Sequence, residues 1–571
     1  MNIRLTKFAE GHKLLDKKQI GFVKKCRTTD HLLTLKVLSK KYVSNVTDGK
    51  LYTCFVDFKK AFDTVWHNGL FHKLEQMNIN GNFLLTLENM YKNTKCAVKL
   101  NNKLTQFFPC MKGVRQGDPL SPMLFNLYIN DIFKELNEGG CDPVYLTEGQ
   151  PINGLAYADD LVLVSATKEG LQKAINILQK YCKNWKLTVN LDKTKCMTFT
   201  KGTQKEKTIF SLDNGPIENV SEIKYLGTLI NKKNCSFLPT IKYLKTKATR
   251  ALYSLNSKLN IYRTPIKTSL KIFDALIRPI LLYASEIYEP YSKQDSSKWD
   301  NGDIERTHMQ FLKRILGVNR STTNILVRGE LKRHSLQEEV LRRTIRHAKS
   351  IQEKDDSYLV KQAYNYELQC DLTSNSYFSK IQEYAHKLQE IHQCFHPYAD
   401  PFLNIYEIPT DKLKTYMDQI FHSEWRIRLE DSTKGETYRS FKNNMAFEPY
   451  LFITNRKERV SLTKLRISDH KLGIEEGRRC RPITPREQRT CTMCTSEIDN
   501  ECHFLLNCKL HSHKELIDKT VSLYPQFNAL DNSQKFIYIM SQEDPNLITL
   551  LAKSVQTSFK FRALMDEYFY K

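Results

Sequence analysis

The chain has 571 residues, enough for several domains or one multi-lobed molecule. Its 87 Lys and Arg against 63 Asp and Glu give a net charge of +24, which suits a polyanionic partner better than acidic small molecules. No apolar run reaches the roughly 18 residues of a membrane span, Met1–Glu10 lacks a signal-peptide core, and cysteines such as Cys54, Cys182 and Cys196 lie in apolar contexts, so a reduced cytoplasmic or nuclear setting with no membrane partner is expected.

In chain order, the first marked signal is Leu51-Tyr52-Thr53-Cys54-Phe55-Val56-Asp57-Phe58. It is apolar and β-prone throughout rather than alternating, which predicts a strand covered on both faces and ending in one acid. A helical pattern starts within Lys59-Lys60-Ala61-Phe62-Asp63, so Asp57 either caps that helix or stands at the strand end as a ligand. Further on, Gly113 and Gly117 flank Val114-Arg115-Gln116, a loop whose backbone can approach a ligand closely. Ser121-Pro122 then reads as an N-cap and first helical position, opening a buried helix over Met123 to Leu136.

Ala156-Tyr157-Ala158-Asp159-Asp160-Leu161-Val162-Leu163-Val164 predicts a β-hairpin with two acids at its tip. A solvated turn is the plain reading of such a pair. Burying the flanking strands while keeping both charges at their junction is costly unless a cation neutralises them. With Asp57 they make a hard-oxygen set suited to Mg2+. Two such ions about 3.5–4 Å apart stabilise the attacking and leaving oxygens of a phosphoryl transfer. Leu171, Ala174, Ile175, Leu178, Cys182 and Trp185 then recur at helical spacing and read as core.

From about Lys242 to Arg346 the chain is helix-rich and basic, as in Ile272–Pro279, Leu312–Gly317 and Leu341–Arg346, with Leu316-Gly317 reading as a helix end. Residues 347–480 also read as mostly helical. Tyr364, Tyr366 and Trp425 there suggest no particular chemistry, while Arg466 and Arg478-Arg479-Cys480-Arg481 suggest a basic approach to the segment C-terminal to them. In that segment Cys491, Cys494, His503 and Cys508 form a C-x2-C-x8-H-x4-C array. Three thiolates and one imidazole match a closed, structural Zn2+ site. Cys502, His511 and His513 are the competing ligands.

Three of these segments, Phe55–Asp63, Gly113–Pro122 and Tyr157–Asp160, resemble in order and spacing the A, B and C motifs of reverse transcriptases of the non-LTR (LINE-type) retrotransposon branch. Asn190-Leu191-Asp192-Lys193-Thr194 resembles motif D, Tyr225-Leu226-Gly227 resembles motif E, and the cysteine–histidine array resembles one near the C-terminus of that family. The resemblance implies an α+β fold: a right-hand polymerase palm, a split βαβ with an antiparallel sheet and two helices, followed by a mostly helical thumb and connector and a small zinc module. The expected bounds are 1–235 for partial fingers and palm, 236–346 for thumb, 347–480 for connector, 481–520 for zinc module and 521–571 for a helical tail.

It further implies an RNA-directed DNA polymerase that extends a primer 3′-OH on an RNA template. Asp57, Asp159 and Asp160 would hold two Mg2+ ions, and Lys193 would serve as general acid for the departing pyrophosphate. Phe62 would be the steric gate against a ribose 2′-OH, with Arg115, Gln116, Gly117 and Tyr157 at the template and incoming nucleotide. The expected partners are RNA template, DNA primer or target, and deoxynucleoside triphosphates. Measured against the family, the chain starts within the fingers and carries no endonuclease domain. The expectation is therefore an N-terminally truncated copy, with an endonuclease or the missing part supplied elsewhere. The alternatives are an inactive copy that only binds RNA, and a group II intron maturase or telomerase-like polymerase, against which the zinc array speaks.

Overall fold

The apolar run before Asp57 forms β1 (Lys50–Val56), buried from Leu51 to Val56. In the computed structural model, which describes all residues except 46–48, 148, 202–207, 214, 234, 289–298, 370–408, 495–496, 509–512 and 570–571, this strand lies inside a six-stranded sheet. The others are β2 (Gly154–Tyr157), β3 (Asp160–Ser165), β4 (Lys195–Thr200), β5 (Phe210–Leu212) and β6 (Gly215–Asn219), in the order β2-β3-β1-β4-β6-β5. Neighbours run antiparallel except β4 with β6, so the sheet is mixed and not the antiparallel one expected.

Burial on both faces of β1 has a direct cause. Helix Lys168–Asn184 packs on β1 and β3, and helix Thr28–Asn45 packs on β1 and β4. The apolar stripe Leu171, Ala174, Ile175, Leu178 and Cys182 is buried on the first of these helices, whose N-cap Thr167 accepts from the Gly170 N–H. Trp185 follows at the C-cap, half-buried.

The helix expected over Met123–Leu136 is instead two, Ser121–Ile129 and Ile132–Glu138. Ser121 is already helical, and its hydroxyl donates to the Arg115 carbonyl (2.6 Å) rather than capping. The break falls where polar side chains have other work. Asn130 accepts from the Asp16 N–H (2.7 Å) and donates to the Leu14 carbonyl (2.8 Å). Asp131 meets the buried Lys73 ammonium at 2.6 Å, which also donates to the Tyr128 carbonyl and the Tyr181 hydroxyl.

The chain divides into two compact units. The first, which holds the sheet, comprises Met1–Tyr243, Ala284–Pro290 and Thr344–Gln382. In it, Asp30 near the start of helix Thr28–Asn45 meets the imidazole of His347 at 2.9 Å and the ammonium of Lys354 at 3.3 Å. Tyr364 is buried, and the Lys41 ammonium lies 4.8 Å from the Tyr366 ring.

The second unit, Leu244–Tyr283, Tyr291–Arg343 and Glu383–Lys571, contains the remainder of the chain. Its described residues are mainly helical. The connector positions 370–408 lie outside the described residues. Helix Asp303–Leu316 ends, as expected, at Gly317 with φ +75°. Trp425 is core, donating its indole N–H to the Ile325 carbonyl. Arg466, expected on a basic approach, is buried instead: its guanidinium pairs with Glu330 (2.9 Å) and Glu448 (2.5 Å). Arg478 pairs with Glu475 on its own short helix. No helix among the described residues is long and apolar enough to cross a membrane.

Glu305 is fully buried and carries four partners. It accepts from Arg328 (2.8 Å), His308 (3.0 Å), the Trp299 indole (2.9 Å) and the Leu336 N–H (2.8 Å). Asp300 binds the same Arg328 and also Arg428. Removing one member of such a cluster leaves its partners buried and uncompensated, at a cost of about 3–5 kcal/mol. Glu305→Ala is therefore expected to lower the thermal midpoint by many degrees, and Glu305→Gln by less. A midpoint unchanged in Glu305→Ala would show that the cluster contributes no net stability.

Candidate active site and candidate metal centre

The strand register assembles the acidic residues. β1 pairs with β3 through Val56 and Leu161, so continuing the ladder by one residue sets Asp57 opposite Asp160. β2 and β3 close through Tyr157 opposite Asp160, leaving Ala158-Asp159 as a two-residue turn. Asp57 does not cap the following helix, whose N-cap is Lys60 with φ +49°. Thus Asp57, Asp159 and Asp160 stand at one end of three adjacent strands.

Their electrostatics are those of an unneutralised acidic site. Among the described residues, none of the three forms an ion pair with a lysine or arginine. Desolvation, then the charges of Asp159 and Asp57, push the Asp160 carboxyl up to about 6, although its side chain reaches solvent. Desolvation and the Asp57 charge raise Asp159 as well. Like charges gathered without a counter-ion favour a bound cation or a proton. Hard carboxylate oxygens at a half-buried strand end fit Mg2+.

Asp57 is also braced from β4's approach. Its N–H donates to the Thr194 hydroxyl (3.2 Å), and its carbonyl accepts from the Asn190 N–H (2.7 Å). Thr194 is buried, whereas Lys193 beside it is exposed in the turn before β4. Thr194 and Asn190 both fall in the segment that resembles motif D, but neither was among the expected site residues, because a hydrogen bond to the Asp57 backbone shows only once the chain is folded.

The glycine loop docks against the segment after Asp57. The Gly113 N–H donates to the Val65 carbonyl and the Val114 N–H to the Phe62 carbonyl, each at 2.8 Å. A Cβ at Gly113, where φ is +90°, would lie 2.7 Å from the Asp63 carbonyl oxygen. Gln116 donates to the Asp63 carboxylate (3.0 Å), and Arg115 donates to the Met90 carbonyl and the Thr94 hydroxyl. Gly117, with φ +87°, faces open space. The Phe62 ring is half-buried and stacks on Phe125 with centroids 4.4 Å apart. Tyr157 is half-buried at the end of β2.

In the second unit, Cys491, Cys494, His503 and Cys508 bring their ligand atoms all within 4.8 Å of one another. The local fold explains this. Thr490 bridges to Ile498 across the Cys491–Cys494 turn, and a π-helical turn over His503–Asn507 delivers His503 and then Cys508. Glu497 accepts from His503 Nδ1 (2.9 Å), leaving Nε2 to face Cys494 Sγ at 3.3 Å. A carboxylate on the far imidazole nitrogen is the usual support for a metal-bound histidine. Cys491 is fully buried, and burial pushes its thiol up to about 12. A thiolate there therefore calls for a cation, which fits Zn2+. The rivals are engaged elsewhere: Cys502 Sγ faces the Asn532 carbonyl, and His513 contacts Ser554 and the Phe504 carbonyl. His511 lies outside the described residues.

Comparison with known proteins finds relatives for the first unit. Residues 1–230 match the family described as reverse transcriptase (RNA-dependent DNA polymerase). The chain is 24% identical over 356 residues to the "Probable RNA-directed DNA polymerase from transposon BS" of Drosophila melanogaster, covering 60% of this chain and 37% of that protein. It is 29% identical over 231 residues to the Pol polyprotein of the type-1 retrotransposable element R2 of Nasonia vitripennis, covering 38% and 22%. The RNA-directed DNA polymerase from mobile element jockey of Drosophila funebris is 24% identical over 301 residues, covering 50% and 31%. The chain thus spans well under half the length of each of these relatives. An apo telomerase structure from Candida tropicalis overlaps with TM-score 0.31 at 17% identity, over 63% of this chain and 60% of that one. The motif order, the strand register and the family match over 1–230 together mark this region as a reverse transcriptase domain, similar to those of non-LTR retrotransposons.

Proposed function

We propose that this chain is an RNA-directed DNA polymerase that adds deoxynucleotides to a primer 3′-OH on an RNA template. The observation that supports the reading is the strand register, which ends β1 at Val56 opposite Leu161 and closes the hairpin at Tyr157 and Asp160, so that Asp57, Asp159 and Asp160 follow at one end of the sheet without an ion-pair partner among the described residues. When bound there, Mg2+ would activate the 3′-OH and stabilise the leaving pyrophosphate. Lys193, exposed beside the Asp57 brace, is the proposed proton donor to the pyrophosphate. Phe62, held by its stack on Phe125, is the proposed barrier to a 2′-OH. Arg115, Gln116, Gly117 and Tyr157 are the proposed contacts to template and nucleotide. The array of Cys491, Cys494, His503 and Cys508 is the proposed Zn2+ site, whose closed ligand set supports a structural, nucleic-acid-positioning role rather than catalysis.

Asp159→Ala is expected to reduce single-nucleotide incorporation on an RNA template with a DNA primer by at least about 1,000-fold, a loss of about 4 kcal/mol of transition-state stabilisation. Template–primer affinity should stay within about twofold. Incorporation at the wild-type rate by this variant would remove the proposed mechanism.

The raised acids also set a pH dependence. Raised carboxyl groups contribute stability below their ordinary range near 4, and that contribution is lost as pH rises through about 6. Mg2+ should offset the repulsion that remains. Its addition is expected to raise the thermal midpoint more at pH 7.5 than at pH 5, where protons compete. An equal rise at both pH values would argue against metal binding by these acids.

For the second site, metal analysis of the purified chain should return one Zn2+ per molecule. Cys494→Ser should lower that content and the thermal midpoint, whereas Cys502→Ser should leave both unchanged. Wild-type zinc content in Cys494→Ser would exclude the assigned ligand set.

A further inference from the structure

The turn that carries Asp159 is held by a residue outside the recognised motifs. Ala158, its first residue, has φ +57°, a conformation that side chains other than glycine rarely adopt. The side-chain amide of Gln19 grips both polar groups of that residue. Gln19 Oε1 accepts from the Ala158 N–H at 2.9 Å and from the Gly21 N–H at 3.0 Å, while Nε2 donates to the Ala158 carbonyl at 3.2 Å. Two N–H groups converge on one atom, so that atom must be the oxygen, and the amide's orientation follows.

The grip is built into the core. Gln19 is 1% exposed. Its segment lies alongside β2, with the Ile20 N–H on the Ala156 carbonyl and the Ala156 N–H on the Lys18 carbonyl. His31 Nε2 lies 3.1 Å from the Lys18 carbonyl and 3.0 Å from the Ala156 carbonyl. Its complete burial holds the imidazole down to about 4, so it is neutral with the proton on the nitrogen facing both carbonyls. Asn126, on the helix that follows the glycine loop, donates to the Gly21 carbonyl at 2.6 Å. A Cβ on Gly21 would lie 2.2 Å from the Ala158 nitrogen, so segment and turn approach as closely as only glycine permits.

We infer that Gln19 is a positioning residue for the reaction, its side-chain amide locking the Ala158-Asp159 turn so that Asp159 is held against Asp57 and Asp160. The inference rests on the proposed polymerase reading. It deepens that reading by assigning the orientation of one acid to a single neutral side chain. Because three like charges repel, an unlocked turn would swing Asp159 outward.

The test compares wild type, Gln19→Glu and Gln19→Leu in steady-state incorporation of one deoxynucleotide on an RNA template with a DNA primer. Mn2+ binding is followed separately by the loss of its free-ion paramagnetic resonance signal. Gln19→Leu, which removes both halves of the grip, is expected to lower kcat by about 100-fold, the usual consequence of misplacing a reacting group by about 1 Å. The nucleotide KM and template–primer Kd should stay within about twofold, and Mn2+ binding should weaken several-fold. Gln19→Glu keeps the acceptor but loses the donor to the Ala158 carbonyl, so its kcat should fall between the two. If Gln19→Leu fails to fold, Gln19→Glu still decides the matter through its graded loss of kcat and of Mn2+ affinity. An unchanged kcat, or a loss of kcat matched by template–primer affinity with Mn2+ binding intact, would overturn the inference. Absent incorporation by wild type with Mn2+ binding still weakened in the variants would uphold the clasp and refute the polymerase reading instead.

Discussion

Three carboxylates of one sign are held at one end of a buried sheet, without an ion-pair partner among the described residues. That arrangement works against folding, since repulsion and partial desolvation both disfavour three charges there. Much of the surrounding structure resists the repulsion. β1 is covered by helices on both sides, Thr194 and Asn190 hold the Asp57 backbone, and Gln19 holds the Ala158-Asp159 turn. The glycine loop is fastened to the segment after Asp57 by backbone hydrogen bonds, so it is positioned relative to the same acids.

Three buried acids of the second unit stand in the opposite condition. Burial alone would raise Glu305 and Glu501, but Arg328 and His308 around the first outweigh it, as do His470 and Ser468 around the second, and both carboxyls are held below their usual range. Glu330 follows the same logic with Arg466. Such acids are satisfied and structural. Asp159 and Asp160, at the end of the sheet, are raised instead, with no ion-pair partner among the described residues.

The cysteine–histidine array stands between these cases. Its ligands gather by local turns, and Glu497 orients His503 from within the same loop. Asp499, in that loop, is bound by Arg562 of the C-terminal helix Pro545–Phe569 and accepts from the Gly473 N–H at 2.6 Å. The small module is thus fastened to its own unit from two sides.

Features that depend on spacing along the chain were legible in the sequence. The buried run ending in Asp57, the hairpin at Asp159 and Asp160, the core stripe Leu171–Cys182, the end at Gly317 and the four-ligand array all arise from continuous apolar runs, helical period or short turns. Their geometry is local, so neighbouring residues suffice to encode them. Features that depend on a distant partner were not legible. The helix over Met123–Leu136 breaks because Asn130 and Asp131 answer Leu14, Asp16 and Lys73, and Arg466 is buried because Glu330 and Glu448 neutralise it. Gln19 reads as an ordinary polar residue until the sheet brings Ala158 to it across 139 positions. Sequence alone determined which chemical groups the protein carries and which short elements present them. Tertiary structure decided which charges are paired and which are left unneutralised, because pairing depends on distances that only the folded chain sets.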